Sequence, residues 1–245
     1  MSFRGVGAQV GVETKLTLRR GESLIVTLGI PVGILVFFGN VDLVDLAKEG
    51  YRDPLDFLVP GVLALAVMST AMVSLGISTG FERRYGVLKR LGTTPLGRSG
   101  LLTAKTLTVV TVEVIQALVI VVAGLIMGWS PAGNVASAAM VMVIGTVAFS
   151  GLGLLMAGTL RAEGTLAVAN GAYLLLLVLG GMAYPLQRLP LALRDVARVL
   201  PAAPLAECLR GALTGAGIPG ARFAILLGWA VVAPLLAARS FRWEE

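Results

Sequence analysis

Over 245 residues, 56% are hydrophobic and only 14% charged, with a mean hydropathy of +0.87. A soluble domain carries charge on about a quarter of its residues, so this is an integral membrane protein. The net charge of +6 does not indicate nucleic-acid binding, because the basic residues gather at the ends of apolar runs. The single cysteine, Cys208, and the absence of histidine exclude an intrachain disulfide framework, a Cys/His metal cluster and a nucleophile paired with histidine. No G-x-x-x-x-G-K-S/T loop is present, so ATP is not held in that way by this chain.

The first 23 residues, MSFRGVGAQVGVETKLTLRRGES, are too polar for a cleaved signal peptide, and the first span is expected to act as the insertion signal. Within them Val10 to Arg20, which includes Glu13, Leu16, Arg19 and Arg20, reads either as an alternating strand or as a helix. An isolated strand beside a membrane lacks a pairing partner, so an interfacial helix is predicted there.

A bilayer core takes about 20 apolar helical residues to cross. Six segments meet that length closely enough: Leu24 to Gly39, Leu58 to Thr79, Thr103 to Met127, Val135 to Leu160, Leu166 to Tyr184 and Phe223 to Ala238. Pro31 and Pro234 fall inside the first and last, where kinks are expected. Glycines at regular helical spacing, Gly145 and Gly153 on either side of Phe149 and Gly124 with Gly128, allow close helix approach.

Positive charge is retained in the cytoplasm. Arg4, Lys15, Arg19 and Arg20 before the first span, and Arg83, Arg84, Lys89, Arg90, Arg98 and Lys105 after the second, put both segments inside. The acidic first loop, with Asp42, Asp45, Glu49, Asp53 and Asp56, and the uncharged third loop then lie outside, and both termini are cytoplasmic. Parity makes Gln187 to Arg222 external despite its arginines. Pro190 to Leu200 and Pro204 to Leu213 are proline-initiated helices too short to span. They form either a re-entrant hairpin or an amphipathic loop on the bilayer surface.

Two places carry unusual chemistry. Glu113 lies inside the third span with Gln116 one turn on, and a charge there must face protein or water. A substrate or proton contact and an inter-helix hydrogen bond both fit. The second place is FERRYGVLKRLGTTP, Phe81 to Pro95. As a helix it aligns Phe81, Tyr85 and Leu88 at i, i+4 and i+7 with Leu91 one turn on, and Arg83, Arg84 and Arg90 fall mostly elsewhere. Gly92 suits a C-terminal cap, and Thr94 with Pro95 the start of the next helix. Residues alone leave lipid-surface binding and docking open for this block.

The run F-E-R-R-Y-G-V-L-K-R-L-G-T-T-P-L, Phe81 to Leu96, resembles the membrane subunit of ABC type-2 exporters, the daunorubicin-resistance type in particular. P-L-x-x-L-P from Pro185 to Pro190, and L-P-A-A-P-L-A-E-C-L-R-G from Leu200 to Gly211, resemble the loop before that family's last span. The resemblance implies one all-α transmembrane domain over residues 1–245, with an interface helix, six spans, a coupling helix and a re-entrant hairpin. Phe81 to Leu91 would seat in a separate ATPase, through Glu82, Arg83 and Arg84 as polar contacts and Tyr85 and Leu88 as apolar anchors. Glu13 to Arg20 would flank it.

The same resemblance implies a working exporter of two permeases, identical or paralogous, and two ATPases in the bacterial plasma membrane. ATP and Mg would be bound by the ATPase, with no cofactor and no catalysis in this chain. The hairpin, with Pro185, Pro190, Pro201, Pro204, Glu207 and Arg210, would close the outer mouth. Because the fifth loop is compact, a drug, antibiotic, lipid or lipid-linked glycan suits the path better than a protein client. Two other readings stand beside it: a proton-coupled secondary transporter using Glu113, and a non-transporting membrane anchor.

Overall fold

Backbone groups inside a bilayer must be satisfied within their own segment, which leaves helices as the solution for apolar runs of this length. The computed structural model describes residues 7, 10, 11, 21–40, 53–92, 97–182 and 184–242, and every regular element among them is helical. In chain order these are α1 (Gly21–Asn40), α2 (Pro54–Val67), a π-helical segment (Met68–Ser74), α3 (Leu75–Arg84), α4 (Val87–Gly92), α5 (Gly97–Ile126), α6 (Val135–Thr159), α7 (Ala162–Leu179), a 3-10 turn (Leu186–Arg188), α8 (Leu191–Val199), α9 (Ala202–Thr214) and α10 (Gly220–Ser240). The interface helix expected at Val10 to Arg20, with Glu13, Leu16, Arg19 and Arg20, falls almost wholly outside the described residues, as do Thr94 and Pro95.

Among the described residues, five stretches are long and apolar enough to cross a membrane: Pro54–Arg84, Thr103–Ile126, Val135–Thr159, Ala162–Leu179 and Gly220–Ser240. With its 20 residues, α1 has the length of a sixth. The second span is longer than Leu58 to Thr79: α2, the π segment and α3 form one continuous rod of 31 residues, Pro54–Arg84. Asp53 opens it by accepting the Leu55 N–H at 2.8 Å, and Pro54 occupies the first turn, where no intrahelical donor is needed. Pro31 and Pro234 sit inside helices that continue through them. The fifth span also begins earlier and ends earlier than expected, because Gly180 caps it and Gly181 turns the chain with φ +61.

The rod formed by α2, the π segment and α3 is the core of the bundle; Phe57 through Met68 is buried without a break. Alongside it lies α6, which also packs on α9 and α10. Glycine makes the contact possible, since a Cβ on Gly153 would stand 2.7 Å from the Met72 carbonyl oxygen and one on Gly76 3.1 Å from that of Gly153. Gly145 likewise admits Leu205 of α9. Of the expected Gly124 and Gly128 pair, only Gly124 serves packing, against Val59 and Trp129, because Gly128 lies beyond the end of α5 with φ +100.

Candidate functional site

The Phe81 block is not one helix. Phe81 to Arg84 complete α3, Tyr85 caps it, and Gly86 adopts φ +68, the left-handed conformation that ends helices. The chain then restarts as α4, so the C-cap glycine is Gly86, and Gly92 is the last residue of α4. The i, i+4, i+7 register is lost at this break. Leu88 turns inward and is 0% exposed, whereas Tyr85 is 68% exposed and stacks on Phe81 with ring centroids 6.2 Å apart. Leu88 is therefore a core residue of this chain and not a surface anchor.

Three polar residues of the block face neighbouring helices. Glu82 pairs with Lys105 of α5 at 2.6 Å, and Lys105 is buried. Arg83, also buried, donates to the Leu160 carbonyl at the C-terminal cap of α6, where free carbonyls and the helix dipole favour a cation. Arg84 pairs with Glu163 in the first turn of α7; both side chains are largely exposed, which limits the pair to about 1 kcal/mol or less. Arg90 is exposed at the surface of α4, and Lys89 belongs to the same short helix. The surface left at this end is centred on Tyr85, Val87, Arg84 and Arg90. None of the partners Lys105, Leu160 or Glu163 is close in sequence, and no local pattern signals them.

At the opposite end the fifth loop is a helical hairpin of unequal arms. Pro185 leads into the 3-10 turn and Pro190 caps α8, whose Leu191, Val196 and Val199 are exposed. By contrast, α9 is buried along nearly its whole length and packs on α2, α6 and α10. It starts two residues before the expected Pro204, with Pro201 as cap and Pro204 in the first turn, where its missing N–H leaves no bond unmade. Its last carbonyls are taken by the loop before α6: Gly133 N–H donates to Leu213 and Asn134 N–H to Ala212, each at 2.8 Å.

Two charged residues fix this arm. Glu207 pairs with Arg222 of α10 at 2.5 Å. Arg210, 7% exposed, donates from Nε to the Phe57 carbonyl at 3.2 Å and from Nη2 to the carbonyls of Gly181 and Met182. Its guanidinium also stacks 3.7 Å from the Phe57 ring centroid.

Between the two ends, Glu113 and Gln116 are buried. Thr146 of α6 donates its hydroxyl to the Glu113 carboxyl, and Thr70 of the π segment donates to Gln116 at 2.9 Å. Both residues thus join α5 to other helices. No group of three or more metal-ligating side chains occurs among the described residues.

This is an all-helical bundle with a basic end, a buried polar seam and a helical hairpin opposite. Residues 8–214 match the family described as ABC-2 type transporter. The chain belongs to that family. No curated protein matches it. As an ABC-2 chain it is a multi-pass membrane protein and supplies the permease component of an ABC transporter. The matched region contains the Phe81 block, the polar seam and the hairpin through the end of α9, while α10 lies beyond it.

Proposed function

We propose that this ABC-2 permease is the membrane subunit of an ATP-driven exporter of the daunorubicin-resistance type, acting on an amphipathic drug, antibiotic or lipid. In this reading the basic end is cytoplasmic, both termini lie on that side, and the membrane is the plasma membrane. A separate ATP-binding cassette subunit binds ATP and Mg and docks on the surface around Tyr85. A second permease, identical or paralogous, completes the transport unit, and the α8–α9 hairpin closes its outer mouth.

The observation that carries the proposal is the placement of Tyr85. It is a large exposed aromatic at the end of a rod whose last turn is tied to three other helices. An aromatic carried on a backbone tied in this way and stacked on Phe81 has less freedom to lose on docking, and aromatics dominate interfaces. The absence of a nucleotide-binding loop in the chain fits a partner that supplies the ATPase.

The test is co-purification with the cognate ATPase and measurement of ATP hydrolysis in the complex. Tyr85→Ala is expected to weaken assembly by roughly thirtyfold, about 2 kcal/mol, and to uncouple hydrolysis from transport. Arg83 is left intact in this experiment, because its buried bond to Leu160 belongs to the fold. Unchanged assembly and coupling in Tyr85→Ala would overturn the docking assignment.

A further inference from the structure

A cavity of about 350 Å³ lies where α5, α6 and α10 meet, toward the end at which α5 begins and α10 finishes. Its walls include Thr103 and Thr106 of α5, Ser150 and Leu154 of α6, and Pro234 and Ala238 of α10. Thr103 and Ala238 are exposed at its rim. Most of the lining is aliphatic or aromatic, as expected of a site for an apolar body.

Among the three hydroxyl residues of the lining, Thr103, Thr106 and Ser150, the last stands apart. The residue is 3% exposed, lines the cavity, and its hydroxyl has no hydrogen-bond partner. Hydroxyls inside helices ordinarily bond back to the carbonyl four residues earlier. On this pattern Thr108 bonds to Ala104, Thr111 to Leu107, Thr159 to Leu155 and Ser240 to Leu236. Ser150 does not, although the carbonyl of Thr146 lies one turn before it on the same helix. A buried hydroxyl that lacks a partner and belongs to the wall of a cavity can form a hydrogen bond with a molecule held there.

We infer that the α5–α6–α10 cavity binds a compact amphiphile carrying an oxygen that hydrogen-bonds to Ser150. The volume lies near the lower end of the roughly 300–1,000 Å³ typical of ligand sites, which suits one chain or ring system rather than a diacyl lipid. The rim between α5 and α10 admits the ligand sideways. This assignment stands on the cavity and Ser150 alone and does not require the ATPase partnership.

The experiment uses the full-length permease without any ATPase, so its failure leaves the docking proposal untouched. A diazirine-bearing eight-carbon alcohol and the matching alkane are photolysed with the protein, and adducts are mapped by mass spectrometry. The alcohol is expected to label the peptides of Ser150 and Ala238 about five- to tenfold more than the alkane does, the discrimination of one hydrogen bond. Ser150→Ala should abolish that preference while alkane labelling persists, and Ala238→Trp at the exposed rim should suppress both. Excess octanol should displace the label and excess diacyl phospholipid should not. Equal labelling by the two probes, a preference that survives Ser150→Ala, or displacement by the phospholipid would each overturn the inference.

Discussion

Replacing Arg210 by methionine tests how the α9 arm is held. The side chain keeps similar length and apolar volume but loses the donors to Phe57, Gly181 and Met182 and the stacked charge over the Phe57 ring. Charge-assisted hydrogen bonds contribute about 1.5–3 kcal/mol each, and a desolvated cation–π contact about 2 kcal/mol. Against these stands the cost of burying a guanidinium, several kcal/mol, which methionine removes. The carbonyls of Gly181 and Met182, beyond the end of α7, lose a donor that their own helix does not replace. That asymmetry leaves a net loss of about 3 kcal/mol, or roughly 6–12 °C in Tm for a chain of this size. Thermal unfolding in detergent, followed by the fluorescence of the three tryptophans, measures it. Arg210→Lys retains a charge but not the planar fork and should recover only part of the loss. If Arg210→Met melts within about 1 °C of wild type, the guanidinium's desolvation cost cancels its bonds and the pinning argument fails.

Gly153→Val places a branched side chain against the Met72 and Ala71 carbonyls, 2.7 and 2.9 Å from the new Cβ. It should cost about 3 kcal/mol or more, read as a lower Tm, whereas Gly171→Val, with open space around it, should leave Tm unchanged. Cys208 is 0% exposed, and burial, with the neighbouring Glu207 carboxylate, pushes its thiol pKa up to about 12. It should resist a water-soluble maleimide at about pH 7.5 in the folded protein and react fully after unfolding in SDS. Rapid labelling of the folded chain would refute the buried position of α9.

Apolar length alone located the spans, and it worked best where polar punctuation coincides with the helix ends. Val135–Thr159 follows Asn134, whose side chain accepts the N–H groups of Ala136 and Ser137. Hydropathy ends the second span at Thr79, just before Gly80 and the charged run Glu82 to Arg84, yet Thr79 is buried, Gly80 packs on Thr165 of α7 and the helix runs on. Burial by neighbouring helices decided that boundary, and a hydropathy window does not see it. The Phe81 block misled in the opposite sense. Its apolar residues repeat at helical spacing across Gly86, but the conformation of that glycine divides them and sends Leu88 inward. The left-handed break falls at Gly86, six residues before the Gly92 expected from the sequence. Arg210 stood out within a motif, but its carbonyl partners belong to α2 and the end of α7, which only folding brings together.

The rod from Pro54 to Arg84 joins these separate features. At about 1.5 Å per residue its 31 residues extend about 46 Å, enough to cross the bilayer core and project beyond it. One end carries Phe57 beneath Arg210, and the other carries Glu82, Arg83 and Arg84 with their ties to α5, α6 and α7. A push delivered at Tyr85 therefore reaches several helices together, because the last turn of the rod is bonded to each of them. Its midpoint is the π segment, where the regular i to i+4 ladder is already interrupted and Met72 lies directly against Gly153. Under the proposed function, motion that enters at Tyr85 is conveyed along the rod to the Arg210 contact in the hairpin. Interruptions of this kind are where helices commonly kink, and here the interruption, Met68–Ser74, lies against the glycine face of α6.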